Sequence, residues 1–300
     1  MTEHNGLRHF ATSAVRSFRL WPLVSKTGLY SFYRRRKYKD SLISLDVVIT
    51  ECCTLRCRNC ANLMQYYHHP ENTDADEMIF SMRKLFSAFM VKQLNILGGE
   101  PFVCQKNLVR ILEYLNEEAG DRYGEVVIIT NGTIIPSEEC LNIMKTTPRL
   151  KVLFSNYGEL SSKLEEFTGI CKRMGIACDV VDTEFWWDFG DLSQRVENER
   201  QTQRRYDACF SRRHCTTLYR GKLYVCPRQA HAIRLGVILE NSSETVCFSD
   251  PEYEEPKALY DAVYRLIDRK NRISACARCG CDCDVKIPRA VQTERPLDVT

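Results

Sequence analysis

Residues 43–60 read ISLDVVITECCTLRCRNC, an apolar, β-branched run that leads directly into four cysteines within nine residues. Three of them, Cys53, Cys57 and Cys60, are spaced C-x3-C-x2-C. Cysteine is commonly a small buried hydrophobe, but a loop otherwise made of Thr, Arg, Leu and Asn does not have the composition of a core. Three interpretations remain for this loop: a disulfide, a zinc site or an iron–sulfur cluster.

The composition of the whole chain favours metal chemistry over disulfides. Its 300 residues include 16 cysteines. The opening segment MTEHNGLRHF is polar, with no apolar stretch typical of a secretory signal after it, and no run approaches the roughly 18 apolar residues of a membrane span. We therefore expect a cytoplasmic protein in a reducing compartment, where clustered cysteines indicate metal or redox chemistry more often than disulfides.

Basic residues are concentrated near the N-terminus, although the formal net charge of the chain is only +3. The segment 1–41 is therefore predicted to be a basic N-terminal extension. It either packs on the domain as a solvated surface or contacts an acidic protein, a phosphorylated substrate or a peripheral membrane surface. The rest of the chain offers no extended basic face, so we expect no nucleic-acid partner.

From residue 43 onward, short apolar segments alternate with helical patterns. The expected strands are 43–50, 93–97, 126–130, 150–155 and 177–182. Strands that are apolar on both faces and separated by helices indicate a parallel sheet covered by helices. In such folds the loops at the carboxyl ends of the strands carry the chemistry, and the cysteine loop follows the first strand.

Two further loops complete a specific pattern. GGEP, residues 98–101, follows the second strand, and TNGT, residues 130–133, follows the third. Together with the C-x3-C-x2-C loop, in this order and spacing, these segments resemble the radical S-adenosylmethionine (SAM) superfamily over about residues 42–190. The resemblance implies an α/β fold, an open (β/α)6 partial TIM-type barrel whose first loop holds a 4Fe–4S cluster.

The resemblance also implies roles for individual residues. Cys53, Cys57 and Cys60 would each ligate one iron, leaving the fourth iron for the amino and carboxylate groups of SAM. The reduced cluster would then cleave SAM to a 5′-deoxyadenosyl radical that abstracts hydrogen from carbon. The positions expected to contact SAM are Gly98, Gly99, Glu100, Asn131, Ser155 and Asn156. The family often has an aromatic residue before the third cysteine, whereas this chain has Asn59.

Zinc is the alternative metal for the first loop, and it would need a fourth ligand nearby. The candidates for that ligand are Cys52, His68 and His69. Cys52 should point to the opposite side from its neighbour in an extended chain, so we expect it to pack rather than to ligate.

A second cysteine set lies near the C-terminus. Cys209, Gly221 and Cys226 are spaced C-x11-G-x4-C, and Cys276-x2-Cys279 follows. This pattern resembles the twitch or SPASM extension of one branch of the superfamily, which holds auxiliary clusters, and the short region implies one auxiliary 4Fe–4S cluster. Zinc stays open as an alternative. The expected ligands are Cys209, Cys226, Cys276 and Cys279, with Cys215, Cys281 and Cys283 as alternates.

The predicted domain organisation follows from these patterns. After the extension 1–41 come the barrel, residues 42–192, and an exposed connector, residues 193–206, with little apolar content. The auxiliary-cluster region is expected at 207–284, with a β-hairpin turning at Arg220-Gly221. Residues 285–300 are polar and are predicted to be a mobile tail.

The predicted activity is that of an oxidoreductase. The resemblance implies dehydrogenation or epimerisation of a sugar, cyclitol or nucleotide-linked sugar, with an external electron donor such as flavodoxin or ferredoxin as a partner. A peptide-modifying maturase and a non-catalytic iron–sulfur or zinc scaffold are the alternatives. Anaerobic formation of 5′-deoxyadenosine from SAM separates an enzyme from a scaffold.

Candidate substrate contacts fall in two segments. In the loop 183–191, Trp186 and Trp187 either line the substrate site or plug the barrel, and Asp188 is expected to orient a hydroxyl or accept its proton. A basic group beside the second cysteine set either binds an anionic substrate or is surface charge. Its members are Arg212, Arg213, His214 and Arg228.

Overall fold

The computed structural model describes residues 41–182, 184–280 and 282–299 of the protein. The predicted basic extension, apart from Ser41, lies outside the described residues, as does Cys281. The side chains of Arg213 and Cys283 lie outside them as well. Within the described ranges, no helix is both long enough and apolar enough to cross a membrane.

Five parallel strands form the centre of the molecule and follow one another in chain order across the sheet. These strands are β1 (Ser41–Val48), β2 (Met90–Leu97), β3 (Tyr123–Thr130), β4 (Leu150–Asn156) and β5 (Ala177–Asp182). Val47, Ile96 and Ile128 in the inner strands are fully buried because helices and loops cover both faces. The outermost strand, β5, leaves Val180 44% exposed. The predicted α/β fold, an open partial barrel, is confirmed.

Four helices connect these strands. They are α1 (Ala75–Ala88), α2 (Gln105–Glu117), α3 (Glu138–Thr146) and α4 (Leu164–Met174). The N-cap of α1 is Asp74, whose carboxylate accepts from the Glu77 amide at 2.9 Å. Thr73 is not available as a cap because its hydroxyl donates to the Val48 carbonyl at 3.1 Å.

The C-terminal half adds three short strands to the same sheet and forms a separate two-stranded sheet from β6 and β10. The helices are α5 (Glu199–Ala208), α6 (Ser211–His214), α7 (Pro227–Arg234) and α8 (Pro256–Ile267), and the strands are β6 (Phe185–Asp188), β7 (Thr217–Tyr219), β8 (Lys222–Tyr224), β9 (Thr245–Cys247) and β10 (Asp282–Pro288). The main sheet has the order β5-β4-β3-β2-β1-β7-β8-β9, with β7 parallel to β1. The connector, predicted to be simply exposed, contains most of α5.

The hairpin β7–β8 turns where the sequence predicts. Arg220 and Gly221 both have positive φ, 46° and 69°, as a two-residue hairpin of the primed turn types requires. The conformation is unfavourable for Arg220, but its guanidinium is held by ion pairs to Glu51 and Glu71 at 3.2 and 2.7 Å. The hairpin is thus fixed to the loop that follows β1.

The end of the chain differs from the predicted mobile tail. Residues 285–288 belong to β10, which pairs antiparallel with β6. Residues 289–298, which we call the C-terminal strap, then lie along the cysteine loop: Arg58 donates to the Val291 carbonyl and Thr293 to the Arg56 carbonyl, each at 2.8 Å. These backbone hydrogen bonds hold the strap against the cysteine loop. The polar sequence of the strap does not predict this arrangement.

Candidate functional site

Three loops meet at the carboxyl edge of the parallel strands, as the sequence predicts. The Gly99 amide donates to the Thr50 carbonyl at 2.9 Å, and the Glu100 amide donates to the Cys52 carbonyl at 2.8 Å. A Cβ atom on Gly99 would lie 2.3 Å from the Cys52 carbonyl oxygen, and one on Gly98 would lie 2.4 Å from that of Thr50. Both positions therefore require glycine so that the GGEP loop can contact the cysteine loop through its backbone.

Glu100 joins this pair of loops to the TNGT loop. Its carboxylate accepts from the Thr130 hydroxyl and from the Asn131 amide, both at 2.8 Å, and its side chain is fully buried. Burial raises the pKa of Glu100 to about 7, although these hydrogen bonds oppose the rise. Glu100 thus acts as a link between loops, while the predicted contact with SAM stays a prediction.

The three predicted ligands of the first cluster lie together in one buried region. Burial raises the pKa of Cys57 to about 11 and raises those of Cys53 and Cys60, and the neighbouring thiols contribute to the rise for Cys53 and Cys57. The free thiols are therefore protonated at neutral pH, and a metal that binds them must displace their protons. Three thiols on one short loop fit a site-differentiated 4Fe–4S cluster, which needs three protein ligands.

Side chains from three distant parts of the chain face these thiols. Asn131 directs its amide nitrogen at the Cys53 sulfur, at 3.7 Å, and Gln292 of the strap donates to the Cys57 sulfur at 3.1 Å. Tyr157, just after β4, is close enough for all three thiols to contribute to its raised pKa of about 12, whose main cause is burial. Amide donors toward sulfur are a common way of tuning iron–sulfur sites.

The alternative fourth ligands for zinc lie elsewhere. The Cys52 thiol contacts the Pro70 carbonyl at 3.6 Å, and His68 lies 3.4 Å from Asp298 on the surface. Among the described residues, no three His, Cys, Asp or Glu side chains converge closely enough to hold a single metal ion.

The remaining predicted contacts lie at the end of β4 and at the end of β6. Asn156 ends β4 and donates to Asp182 at 2.7 Å, while the Ser155 carbonyl accepts from Ser161 at 3.2 Å. Asp188 accepts from the Gly190 amide at 2.7 Å, which closes a turn. Their roles stay predictions.

The two predicted tryptophans lie in different places. Trp186 packs edge-on against Tyr157 with ring centroids 5.6 Å apart, whereas Trp187 lines a cavity. Since Tyr157 faces the first cysteine set, the two indole rings border adjacent parts of the site.

The second cysteine set surrounds that cavity, which has a volume of about 330 Å³. Cys209 ends α5, Cys226 precedes α7, and Cys276 and Cys279 lie in and after the short 3-10 helix Ser274–Arg278. Burial raises the pKa of Cys226 well above its usual value, and the thiols of the other three add to the rise. The structure therefore brings the four predicted ligands together, with Cys215 beside them in the cavity wall.

Sequence reasoning missed several side chains of the site. Asp46 of β1 lines the cavity and accepts from Asn95 at 2.7 Å, and burial raises its pKa to about 7. A single carboxylate inside an otherwise apolar strand was the available signal for it. The approach of Gln292 to Cys57 had no such signal, because the two residues lie far apart in the chain.

An ion-pair network forms around the buried Glu51 side chain at the start of the cysteine loop. The Glu51 side chain is fully buried and accepts from Arg234 at 3.0 Å, from Arg220 at 3.2 Å and from the Glu71 amide at 2.8 Å. The Tyr219 hydroxyl also donates to it. Because Arg220 and Arg234 belong to the C-terminal half, the network fixes that half to the start of the cysteine loop.

Comparisons with protein families and with curated proteins give matches to part of the chain. Residues 47–155 match the profile of the radical SAM superfamily. A GTP 3′,8-cyclase of Rhizobium leguminosarum bv. trifolii (strain WSM2304) is 33% identical over 93 residues, which are 30% of this chain and 25% of that protein. One from Ectopseudomonas mendocina (strain ymp) is 29% identical over 89 residues, 30% of this chain and 26% of that protein. The match thus spans about a quarter of these curated relatives.

Comparison with solved structures extends the likeness in fold to most of the chain. The structure described as native anSMEcpe with bound AdoMet superimposes with a TM-score of 0.51 and 11% identity, covering 86% of this chain and 93% of that one. At this identity the likeness concerns the fold alone.

Proposed function

We propose that the protein is a radical SAM oxidoreductase acting on a small carbohydrate-like substrate, since residues 47–155 match the profile of the radical SAM superfamily. The proposed reaction is dehydrogenation or epimerisation of a sugar, cyclitol or nucleotide-linked sugar. The observation that carries this proposal is the cavity of about 330 Å³ between the segment after Cys60 and the second cysteine set.

We assign the first cluster to Cys53, Cys57 and Cys60. A reduced 4Fe–4S cluster held by these residues would supply the electron for cleaving SAM, and the adenosyl fragment would take hydrogen from a substrate carbon. The roles of this chain are to hold the loop and to exclude water. Gly99 gives the loop its close backbone contact, and the strap forms hydrogen bonds with the loop backbone.

We assign the auxiliary cluster to Cys209, Cys226, Cys276 and Cys279. Their thiols line one cavity on separate elements, so a cluster held there would join α5, the start of α7 and the 3-10 helix Ser274–Arg278. As an electron acceptor beside the substrate, it suits a net oxidation. Flavodoxin or ferredoxin is the proposed class of external donor.

The cavity walls suit a small polar ring. Trp187, Phe189 and Phe210 present aromatic surface, and Asp46 and Arg228 present charge. Aromatic rings pack against the apolar face of a sugar, while the charged groups orient its substituents. The cavity volume of about 330 Å³ is at the small end of ligand pockets, and a cluster held by the four cysteines would fill part of it, so the remaining space favours a small molecule over a peptide.

Two carboxylates are candidates for accepting a proton from a substrate hydroxyl. Asp46 lines the cavity, whereas Asp188 is not among the described residues that line it and already closes a turn with Gly190. We therefore favour Asp46 for this role and retain Asp188 as the second candidate.

Anaerobic incubation of the reconstituted protein with SAM and dithionite tests the activity. We expect 5′-deoxyadenosine to form, and we expect none from the variant in which Cys53, Cys57 and Cys60 are all replaced by Ala. Equal amounts from both proteins would overturn the assignment. A non-catalytic scaffold gives no 5′-deoxyadenosine from either.

Once a sugar or cyclitol that the protein consumes has been identified, the reaction in deuterated water distinguishes epimerisation from dehydrogenation. An epimerase gives a product with deuterium at the reacting carbon, because the substrate radical takes its hydrogen from an exchangeable donor. A dehydrogenase gives an oxidised product without that label. We expect the oxidised product, since the second cysteine set lines the substrate cavity.

A further inference from the structure

Arg228 is held in a fixed position beside the cavity. It is the second residue of α7 and is only 5% exposed. One terminal nitrogen, Nη2, donates to the carbonyl oxygens of Gly190 and Asp191, both at 3.1 Å, and the guanidinium carbon lies 6.0 Å from the centre of the Phe189 ring. These contacts fix the plane of the guanidinium group and use only part of its donor capacity.

The remaining donors of Arg228 have no partner in the part of the chain that the structure describes. Both Nε and Nη1 are buried without a hydrogen bond, and no carboxylate of the described residues forms an ion pair with them. Nearly all buried polar groups in folded proteins have a partner, and a buried unpaired cation is especially unfavourable. The charge of Arg228 lowers the pKa of the Cys60 thiol, but no acceptor of the described residues takes a hydrogen bond from Nε or Nη1, so these donors are free to meet an oxyanion.

Asp191, whose carboxylate interacts with the charge of Arg228, is already engaged with other groups. Asp191 accepts from the Ser193 amide at 2.9 Å and from the Ser193 hydroxyl. These hydrogen bonds are the main cause of its lowered pKa, and the charge of Arg228 makes a smaller contribution. Asp191 thus reduces the cost of the buried charge of Arg228 without pairing with it.

The cavity gives this unpaired cation access to a ligand. Arg228 lines it together with Trp187 and Phe189, and Asp46 is the one acidic side chain among the described lining residues. Arg212 also lines the cavity, but it is paired with Asp207 at 3.4 Å and lies over the Tyr206 ring. Among these groups, Arg228 combines burial, fixed orientation and unused donors.

We propose that Arg228 binds an oxyanion, a carboxylate or a phosphate, of the substrate whose ring lies in the cavity against Trp187 and Phe189. This inference rests on the proposed function and narrows the substrate class to acidic or phosphorylated sugars and cyclitols. Charge-assisted hydrogen bonds from a guanidinium group that is already oriented are strong and selective for oxyanions. Arg228 would thereby fix which substrate carbon faces the first cysteine set.

Anaerobic isothermal titration calorimetry on the reconstituted full-length protein tests this site with two probes, inorganic phosphate and acetate. We expect Arg228→Gln to weaken the affinity for the preferred anion by about 10- to 100-fold, which is the usual value of hydrogen bonds to a charged group. Arg228→Lys should keep part of the affinity. The probe that binds more tightly to the wild-type protein identifies phosphate or carboxylate as the anion.

Arg212→Gln is the matched control. It removes a positive charge that lines the same cavity but is already paired with Asp207. We expect it to change the anion affinity by no more than about 2-fold. An equal loss in the two Gln variants would show a general electrostatic effect and would overturn the proposal. So would the failure of both probes to bind the wild-type protein.

Titration with SAM in the same experiment separates substrate from cofactor. A loss of SAM affinity in Arg228→Gln as large as the loss for the probe would assign Arg228 to the cofactor and overturn the inference. The proposed function fails by a different result, the absence of 5′-deoxyadenosine from the wild-type protein. Anion binding that depends on Arg228, with SAM affinity less affected, is the outcome that supports the site.

Discussion

Glu100, in the loop after β2, contacts the loops that follow β1 and β3 and so joins the three loops of the site. Its amide donates to Cys52 after β1, and its carboxylate accepts from Thr130 and Asn131 after β3. The sequence predicts that these segments lie at one edge of the sheet, since each follows a parallel strand. It does not predict which of them the carboxylate contacts, because that depends on how far each strand extends.

The raised pKa of Glu100 gives a pH dependence of stability. Its pKa rises from 4.5 to about 7 on folding, so its contribution is complete below about pH 4.5 and is lost as the pH rises through about 7. Between about pH 4.5 and 8, the free energy of unfolding of the wild-type protein should fall by about 3 kcal/mol relative to that of Glu100→Gln. Anaerobic urea unfolding at several pH values measures this difference, and parallel profiles for the two proteins would contradict it.

Spacing along one loop explains which site residues the sequence reveals. Cys53, Cys57 and Cys60 are recognisable because all three ligands lie within a few residues of each other. Gln292 contacts Cys57 from 235 residues away, and this approach depends on the path of the whole chain. Tyr157 is intermediate, since it directly follows the predicted contact Asn156 at the end of β4.

At the scale of elements, the strands were predictable and the C-terminal strap was not. β1 to β4 are rich in apolar residues because they are covered on both faces, and this enrichment is visible in the sequence. The strap is polar and without periodicity. It is held by backbone hydrogen bonds to a loop that is itself irregular, and backbone groups leave no pattern in the side chains.

The strap is predicted to tune the first cluster through Gln292. Its amide donates to the Cys57 sulfur at 3.1 Å, and such donors stabilise the more negative reduced state. Gln292→Met removes the donor with little change in size, so we expect the reduction potential of the first cluster to fall by on the order of tens of millivolts. Potentiometric titration followed by electron paramagnetic resonance measures it.

Thr293→Val serves as the control for the strap, because the Thr293 hydroxyl contacts only the Arg56 carbonyl among the described residues, at 3.3 Å. We expect the reduction potential of the first cluster in Thr293→Val to match that in the wild-type protein. Identical potentials for Gln292→Met and the wild-type protein would show that the strap covers the loop without tuning it.

The ion-pair network around Glu51 is predicted to stabilise the junction between the two halves. Arg234→Met leaves the fully buried Glu51 carboxylate with one fewer cation and should lower the free energy of unfolding by about 2–4 kcal/mol. Arg83→Met removes an exposed pair with Glu118 and should cost no more than about 1 kcal/mol. Urea unfolding of both variants measures the difference, and equal effects would contradict a role for burial.

At the scale of the whole molecule, the position of β7 determines how the two cysteine sets are related. It pairs with β1 instead of following β5, so the C-terminal half lies beside the strand that leads into the first cysteine loop. The sequence predicts the hairpin but not the edge of the sheet to which the hairpin adds, since either edge of an open sheet offers unpaired backbone groups. As a result, Asp46 of β1 and the second cysteine set line the same cavity.

The iron and sulfide content of the reconstituted protein tests most directly whether the chain holds two separate clusters. The account predicts about eight irons in the wild-type protein, and about four each in Cys53/Cys57/Cys60→Ala and in Cys276/Cys279→Ala, since each variant loses one 4Fe–4S cluster. An iron content unchanged in the first variant would contradict the assignment of the cysteine loop. Zinc without iron in that same variant would contradict the assignment of the second set.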